Sequence, residues 1–241
     1  MRLGLNIDHI ATLREARKST EPNLLQAALI AQKVGVDQIT VHIRSDRRHI
    51  QDSDLETLKS GIQIPFNVEM STTNEMREIA AKIQPDKVTL VPERINEVTT
   101  EGGLDVICNQ KVIENFMDYL SKVSKDIDVS IFVDPNEEQI LACKAIGVNE
   151  IEINTGRYAD ALTPDAVQLE IERIQSASKT AANLDIEVAA GHGLTETNLP
   201  AILKIKQIKE LNIGHHIIAD SVFFGLHTKI ERILNLLKYA K

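Results

Sequence analysis

Short runs of apolar and β-branched residues alternate along the whole chain with stretches in which apolar residues recur every three or four positions. Runs of the first kind predict strands, and stretches of the second kind predict helices that bury one face. The predicted strands are residues 2–8, 38–44, 66–70, 87–92, 129–134, 151–155, 186–190 and 213–218. The predicted helices are residues 24–34, 54–60, 74–83, 111–123, 136–146, 163–181, 196–205 and 222–239.

The strand sequences are typical of a parallel sheet that is covered on both faces. Segments such as ITVHI, VTLVP and VSIFVD are almost continuously hydrophobic, whereas a strand with one wet face would alternate. Regular alternation of strands and helices fits either an open doubly wound sheet or a closed barrel. Eight such units in 241 residues favour the barrel. The predicted fold is therefore α/β, a single (β/α)8 TIM barrel that occupies residues 1–241 as one domain.

Composition and charge exclude several classes of protein. A hydrophobic fraction of 43% suffices for a core, and no apolar run is long enough to cross a membrane. The first residues lack the apolar stretch of a signal peptide, so we expect a cytoplasmic protein. A net charge of −8 argues against binding to nucleic acid or to an anionic membrane. Cys108 and Cys143 lack the spacing of a disulfide framework or zinc site, and we expect both to be buried small residues.

Polar residues collect at the predicted carboxyl ends of the strands, where a parallel barrel carries its active site. Those from five different strands are Asn6, Asp8, His42, Glu69, Glu152 and His192. Burying so many polar groups costs a few kcal/mol each unless they are paired or used, so we predict a functional site. Histidines and glutamates without an obvious nucleophile suit general acid–base catalysis. A zinc site stays open as an alternative, although the chain has no HxH or HExxH spacing.

Two regions near this rim are candidates for binding phosphate. The turns at 191–194 and 214–216 contain glycines and follow the last two predicted strands, where barrels often hold phosphate. The segment 42–49 adds three arginines and two histidines, which indicate either a second phosphate site or a solvated charged turn. The loop 99–104, with hydroxyls and glycines, is a candidate lid over a ligand.

Eight strings, taken together, resemble the pyridoxine 5′-phosphate synthase family. They are NIDHIATLREAR (6–17), HIRSDRRHI (42–50), FNVEM (66–70), TLVPE (89–93), EVTTEGGLDV (97–106), INTGRYA (153–159), AGHGL (190–194) and LNIGHHII (211–218). Their order and spacing cover essentially the whole chain. The resemblance implies an enzyme that condenses 3-amino-2-oxopropyl phosphate with 1-deoxy-D-xylulose 5-phosphate to give pyridoxine 5′-phosphate, inorganic phosphate and water.

The resemblance also implies roles for individual residues. His42 and Glu69 match the family's proton acceptors, His192 its proton donor, and Glu152 the carboxylate that stabilises a transition state. The contacts to the aminoketone phosphate fall on Asn6, Arg17, Gly193, Gly214 and His215. The contacts to the sugar phosphate fall on Asp8, His9, Arg44, His49 and Thr99. Departures from the family pattern occur at Ser45, Asn154 and His216, none of which carries a transferred role. The resemblance further implies no metal, no organic cofactor and a homo-octamer built from dimers.

Two other functions remain open at this point. A different aldolase or isomerase acting on sugar phosphates could use the same barrel, because a fold does not determine a function. A Schiff-base aldolase would need a lysine at the end of a strand, whereas Lys87 is predicted at the start of one. The other alternative is a non-catalytic barrel that binds phosphorylated metabolites.

Overall fold

Eight parallel strands close into a barrel in their order along the chain, which confirms the predicted fold class. The computed structural model describes residues 1–93, 102–124 and 126–239. The strands are β1 (Arg2–Asn6), β2 (Gln38–His42), β3 (Phe66–Met70), β4 (Lys87–Leu90), β5 (Asp128–Val133), β6 (Glu150–Asn154), β7 (Glu187–Gly191) and β8 (Ile208–Ile213). Leu5 pairs with Ile39 on one side and with Ile213 on the other, so the first strand closes the barrel against the last.

Helices surround the barrel, and the described residues contain three more of them than the one helix per strand of a simple alternating plan. The helices are α1 (Asp8–Arg17), α2 (Leu24–Val34), α3 (Asp52–Gly61), α4 (Asn74–Ile83), α5 (Val106–Val123), α6 (Glu137–Ala145), α7 (Gly156–Ala159), α8 (Pro164–Asn183), α9 (Leu199–Ile202), α10 (His215–Phe224) and α11 (Leu226–Tyr239). Their starts follow ordinary capping chemistry, as where the Thr73 hydroxyl accepts the Met76 N–H at α4. Within the described part of the chain, no helix is both long and apolar enough to cross a membrane.

The two faces of the barrel differ in polarity. Residues such as Leu5, Ile39 and Val68 are fully buried in the apolar layer between strands and helices. Alternate strand positions carry polar groups that bond to one another, including Asn67, whose side-chain oxygen accepts from the Thr89 hydroxyl at 3.0 Å. The main hydrophobic core therefore lies outside the strands, while a hydrogen-bonded polar core fills the barrel.

Opposite charges are paired at the amino-terminal end of the barrel. The Lys87 ammonium lies 2.5 Å from a Glu150 carboxylate oxygen and 3.2 Å from one of Glu210. Glu210 also accepts from the Arg2 guanidinium at 2.9 Å and from the Gln38 amide at 3.2 Å. Because these groups are held inside the sheet, their mutual attraction is what offsets the loss of water around each of them.

The sequence prediction was wrong about the last strand. Residues 213–218 were expected to be strand eight, but β8 ends at Ile213 and His215 begins helix α10. Lys209 and Glu210 interrupt the apolar pattern of the true strand, and the Glu210 charge is tolerated there only because it is paired. The apolar residues after Gly214 instead belong to the buried side of a helix.

Several element boundaries also differ from prediction. Residues 8–17, expected to continue strand one and then form a loop, make helix α1. The helix predicted at 222–239 is divided by Gly225, whose φ of 79° a helical residue cannot adopt. Helix α9 is far shorter than the predicted 196–205. By contrast, 24–34, 66–70 and 74–83 match their elements to the residue. Cys143 is buried as expected, but Cys108 is exposed.

Replacing Lys87 by Met should destabilise the barrel by about 3–5 kcal/mol at pH 8, because the largely buried Glu150 carboxylate loses its paired cation and Glu210 keeps only Arg2 among its described cations. Burial raises the pKa of Glu150 above its unfolded value, whereas Lys87 lowers it. Without Lys87 the penalty for ionised Glu150 is present above its folded pKa and disappears below its unfolded one. The deficit should therefore shrink between pH 8 and about pH 4 in urea-unfolding measurements.

The matched control is Lys82→Met, which removes an ion pair with Glu56 on the outer surface. Since both of those side chains are more than half exposed, water screens the pair and we expect a change within the error of the unfolding measurement. A Lys87→Met loss that equals the control, or that does not depend on pH, would contradict a buried ion-pair cluster.

Candidate active site

Asp8 connects the first two strands at the carboxyl-terminal rim. It is the first residue of α1, and its buried carboxylate accepts the backbone N–H of His42 at 2.8 Å. The Asn6 side-chain amide donates to the other carboxylate oxygen at 2.9 Å, and the Asn6 side-chain oxygen Oδ1 accepts the Asp8 backbone N–H. The ends of β1 and β2 are thus held together by the same side chain that faces the site.

His42 and Glu69 meet across neighbouring strands. The register pairs them directly, and the His42 Nδ1 atom lies 4.0 Å from a Glu69 carboxylate oxygen. Burial, assisted by His49 and Arg44, lowers the pKa of His42 to about 3, so its imidazole is neutral at physiological pH. Its Nε2 atom is buried and has no hydrogen-bond partner among the described residues. A buried polar atom in this state is available to a ligand.

Three carboxyl groups at this rim hold their protons unusually tightly. Burial raises the pKa of Asp8 to about 7, against the opposing effect of its bonds from His42 and Asn6. Burial also raises the pKa of Glu152 to about 7, although the Asn212 amide donates to it at 2.7 Å. Burial, with repulsion from Glu152 and Asp8, raises the pKa of Glu69 well above its usual range. The site therefore holds several groups that can exchange protons near neutral pH.

The same cluster has the composition of a metal site. Asp8, His42 and Glu69 can each offer one ligand atom, and these atoms lie within 4.8 Å of one another. One imidazole with two carboxylates is a donor set that divalent cations accept. Both oxygens of Asp8, however, already accept hydrogen bonds from the protein.

His192 lies on the opposite side of the rim, beside strand β6. It has a left-handed φ of 82°, and its carbonyl oxygen accepts the Thr155 hydroxyl at 2.6 Å. A β-carbon at Gly156 would lie 2.9 Å from the His192 ring, so the glycine makes room for the imidazole. Burial lowers the pKa of His192, which leaves the ring neutral until a substrate charge approaches it.

The glycine turns after β7 and β8 both approach neighbouring residues closely. Gly193 has a φ of 74°, and a β-carbon there would lie 2.4 Å from that of Ala159. Gly214 precedes α10, and a β-carbon there would lie 2.9 Å from that of Asn6. Helix α10 begins at the next residue, so its first backbone N–H groups and the positive end of its dipole lie beside Gly214.

Histidines and an arginine line the remaining part of the rim. The His9 and His215 rings lie 4.9 Å apart between centroids, and burial together with His215 lowers the pKa of His9 to about 4. His49 lies 6.2 Å from His42, and burial together with Arg44 lowers its pKa to about 4. Arg44 is buried, with only 2% of its surface exposed. Arg44 is thus inside the protein and His49 is half-buried, whereas Ser45 and Asp46 are exposed, so the solvated-turn alternative is wrong for Arg44.

Of the remaining predicted site residues, one lies away from this rim and one lies outside the described residues. Arg17 lies at the last turn of α1, with an exposed side chain that makes no hydrogen bond or ion pair within the described ranges. Its prediction as a loop residue was wrong, because helix α1 continues to it. Thr99 and the first half of the candidate lid, residues 99–101, lie outside the described residues.

Two residues support the site from behind: Asn212, which the sequence reasoning missed, and Asp134, which it placed at the end of strand five without a role in the site. Asn212 orients Glu152, as described above, and Asp134 accepts the Asn154 amide at 2.9 Å and the Gly103 N–H at 3.0 Å. The alternation Glu210, Asn212, Gly214 carries the signal for Asn212, since period two places these residues on the inner face. That signal was hidden by the wrong boundary of strand eight.

Comparison with known families gives one match over nearly the whole chain. The model of the pyridoxal phosphate biosynthesis protein PdxJ family matches residues 3–239. A pyridoxine 5′-phosphate synthase of Sulfurihydrogenibium sp. (strain YO3AOP1) is 51% identical over 245 residues, covering 100% of this chain and 99% of its own. One from Aquifex aeolicus (strain VF5) is 48% identical, covering 99% of this chain and 100% of its own.

Solved structures with the same fold are much more distant in sequence. A thiamine phosphate pyrophosphorylase from Pyrococcus furiosus superposes with a TM-score of 0.62 at 15% identity, covering 99% of this chain and 96% of its own. A phosphoribosyl anthranilate isomerase from Thermotoga maritima gives 0.62 at 14% identity, covering 99% and 98%. At these identities the likeness concerns the barrel alone.

Replacing Glu152 by Gln should stabilise the protein by about 1–3 kcal/mol at pH 8 and by less than about 0.5 kcal/mol at pH 4. The folded pKa of about 7 lies above the unfolded value, so ionising Glu152 opposes folding. This penalty is absent below the unfolded pKa and complete above the folded one, and glutamine never incurs it. Urea unfolding at both pH values measures the difference, with the exposed Glu78→Gln as control. A variant less stable than wild type at pH 8 would refute the shift.

Proposed function

This chain belongs to the family of the pyridoxal phosphate biosynthesis protein PdxJ, and on that premise we propose that it is a ring-closing synthase. Its substrates are 3-amino-2-oxopropyl phosphate and 1-deoxy-D-xylulose 5-phosphate, and its products are pyridoxine 5′-phosphate, inorganic phosphate and water. The observation that carries the residue roles is the cluster of Asp8, His42 and Glu69 at the rim, whose ligand atoms lie within 4.8 Å of one another.

The reaction needs several proton-transfer groups, and the cluster supplies them. Addition of the amine to the ketone, imine formation, loss of phosphate, ring closure and loss of water each move protons. His42, neutral and with an unpartnered Nε2 atom, accepts protons from the reacting carbons or water. His192, on the opposite side, donates to the departing oxygen after the anionic substrates have raised its pKa.

Burial raises the pKa of Glu69, which favours its protonated form before substrate binds. Binding of the aminoketone favours the ionised form. The amine of this substrate is an ammonium ion in water, and in that form it cannot attack a ketone. An ammonium ion among the carboxyls of Asp8, Glu69 and Glu152 lowers their pKa values by direct attraction. Glu69 releases its proton to water as the substrate binds, and the resulting carboxylate then accepts a proton from the ammonium ion and leaves a nucleophilic amine. Glu152, held by Asn212, stabilises positive charge that develops at the imine.

Two phosphate groups need two anion sites, and the rim offers two regions of suitable chemistry. The turns at Gly193 and Gly214, with Asn6 and His215, bind the aminoketone phosphate through backbone N–H groups and the start of α10. Arg44, His49, His9 and Asp8 bind the sugar phosphate. Thr99, outside the described residues, completes that set in our proposal.

Arg17 supports a further proposal, that the chain works as a cytoplasmic homo-octamer built from dimers. Nine residues of helix α1 separate Arg17 from Asp8, a rise of about 13 Å. An arginine so placed reaches a neighbouring subunit more readily than its own rim. No metal or organic cofactor has a role in the proposed mechanism.

The aldolase alternative receives no support from the described lysines. Lys87 lies at the amino-terminal end of the barrel, away from the rim, and is held by Glu150 and Glu210. None of the lysines within residues 1–93, 102–124 and 126–239 lies at the carboxyl end of a strand. A non-catalytic barrel would bind both phosphates without consuming them, which the following assay distinguishes.

Purified protein given both substrates should release inorganic phosphate and form a product with pyridoxine absorbance, before and after dialysis against a chelator. Glu69→Gln and His192→Ala should each lower kcat by about 10²-fold or more, since each removes one proton-transfer group. Circular dichroism checks that both variants are folded, and Glu78→Gln serves as the active control. Absence of turnover by wild type would reject the synthase, and wild-type rates in the variants would reject the assigned roles.

If Arg17 completes a neighbour's site, Arg17→Ala and Glu69→Gln should complement each other. A mixed dimer then contains one barrel with an intact Glu69 that receives an intact Arg17. Co-expressed, doubly tagged hetero-oligomers should regain roughly a quarter to a half of wild-type activity per dimer, as effective sites are restored. Activity no higher than the sum of the two homo-oligomers would place Arg17 in its own subunit's site or outside any site. Light scattering reports the assembly size independently.

A further inference from the structure

A fully buried lysine lies behind the glycine turns, and the proposed chemistry does not use it. Lys229 is in the first turn of α11 and its side chain is 0% exposed. Its ammonium donates to a Glu196 carboxylate oxygen at 2.7 Å and to an Asp220 oxygen at 2.6 Å. Burying an ammonium is costly unless it is well paired, so this arrangement strongly favours one relative position of its partners.

The two partners come from the two segments that follow β7 and β8. Glu196 lies three residues after Gly193, in the segment between β7 and α9. Asp220 lies on α10, six residues after Gly214. The lysine therefore joins the segment after β7 to helix α10, which follows the turn after β8.

A second contact links the same two segments without the lysine. The backbone N–H of Glu196 donates to the His216 Nε2 atom at 3.2 Å, and that atom lies 3.8 Å from an Asp220 oxygen. His216 directly follows His215, one of the proposed phosphate contacts. The four side chains of Glu196, His216, Asp220 and Lys229 form a closed set, which we call the brace.

We propose that Lys229 is a positioning residue that sets the spacing of the Gly193 and Gly214 turns for the aminoketone phosphate. It acts through Glu196 and Asp220 and does not touch substrate. The inference rests on the proposed function, which assigns the aminoketone phosphate to these turns and the sugar phosphate to another region. The sugar phosphate region around Arg44 and His49 shares no residue with the brace.

The ion pairs of the brace can be removed without leaving a buried charge unpaired. The Glu196 and Asp220 side chains are 32% and 34% exposed, so water can solvate both carboxylates when the ammonium is removed. Methionine fills the space of the buried lysine stem and needs no partner. We therefore expect Lys229→Met to fold, and Glu196→Ala provides a second cut that keeps the Glu196 backbone contact to His216.

The test compares Lys229→Met and Glu196→Ala with wild type in steady-state assays that vary each substrate separately. Lys59→Met is the matched control, because it removes an ion pair with Asp86 far from these turns. We expect KM for the aminoketone phosphate to rise about tenfold, with kcat and KM for the sugar phosphate within about threefold of wild type. The double variant should be no worse than the poorer single variant, since both changes cut one connection.

Calorimetric titration with inorganic phosphate gives a readout that does not need turnover. Weaker phosphate binding by Lys229→Met than by Lys59→Met supports the proposal even if the wild-type protein fails to make product, an outcome that would reject only the synthase. Unchanged KM values and phosphate affinity would overturn it. Equal increases in KM for both substrates, with a lowered unfolding midpoint, would also overturn it, since a general structural role predicts that result.

Discussion

The cost of removing charged groups from water inside a closed barrel governs both ends of this molecule. At the amino-terminal end, Lys87 and Arg2 lie against Glu150, Glu187 and Glu210, so the charges offset one another. At the carboxyl-terminal rim the described contacts of the carboxyl groups are amides, backbone N–H groups and a neutral imidazole. Burial therefore raises the pKa values of those carboxyls towards neutral pH, which is the property that the proposed chemistry requires.

How much the sequence could predict follows from where the stabilising contacts lie. Strand β3 and helices α2 and α4 show regular apolar spacing, and their boundaries were predicted to the residue. Strand β8 was misplaced because Glu210 is buried by virtue of partners on other strands, which no local pattern reveals. Helix α1 was missed for a related reason, since only Asp8 and Ala11 of its ten residues are buried.

The site followed the same division between local and distant information. Parallel strands bring their carboxyl ends to one rim, so His42, Glu69, Glu152 and His192 could be named as soon as the barrel was inferred. What each of them experiences could not be predicted, because the pKa values depend on burial and on neighbours from other strands. Lys229 shows the limit most clearly, as its partners lie 33 and 9 positions away along the chain.

The close approach of Gly214 to Asn6 has a consequence for the life of the newly made chain. These residues touch across the seam between the first and last strands, yet more than 200 residues of synthesis separate them. Asn6, Asp8 and His42 emerge from the ribosome long before the segment that completes their pocket has been synthesised. Only when α11 has emerged can Lys229 join the last two turns. The contact between the turns after β7 and β8 is therefore complete only after the final helix has been translated.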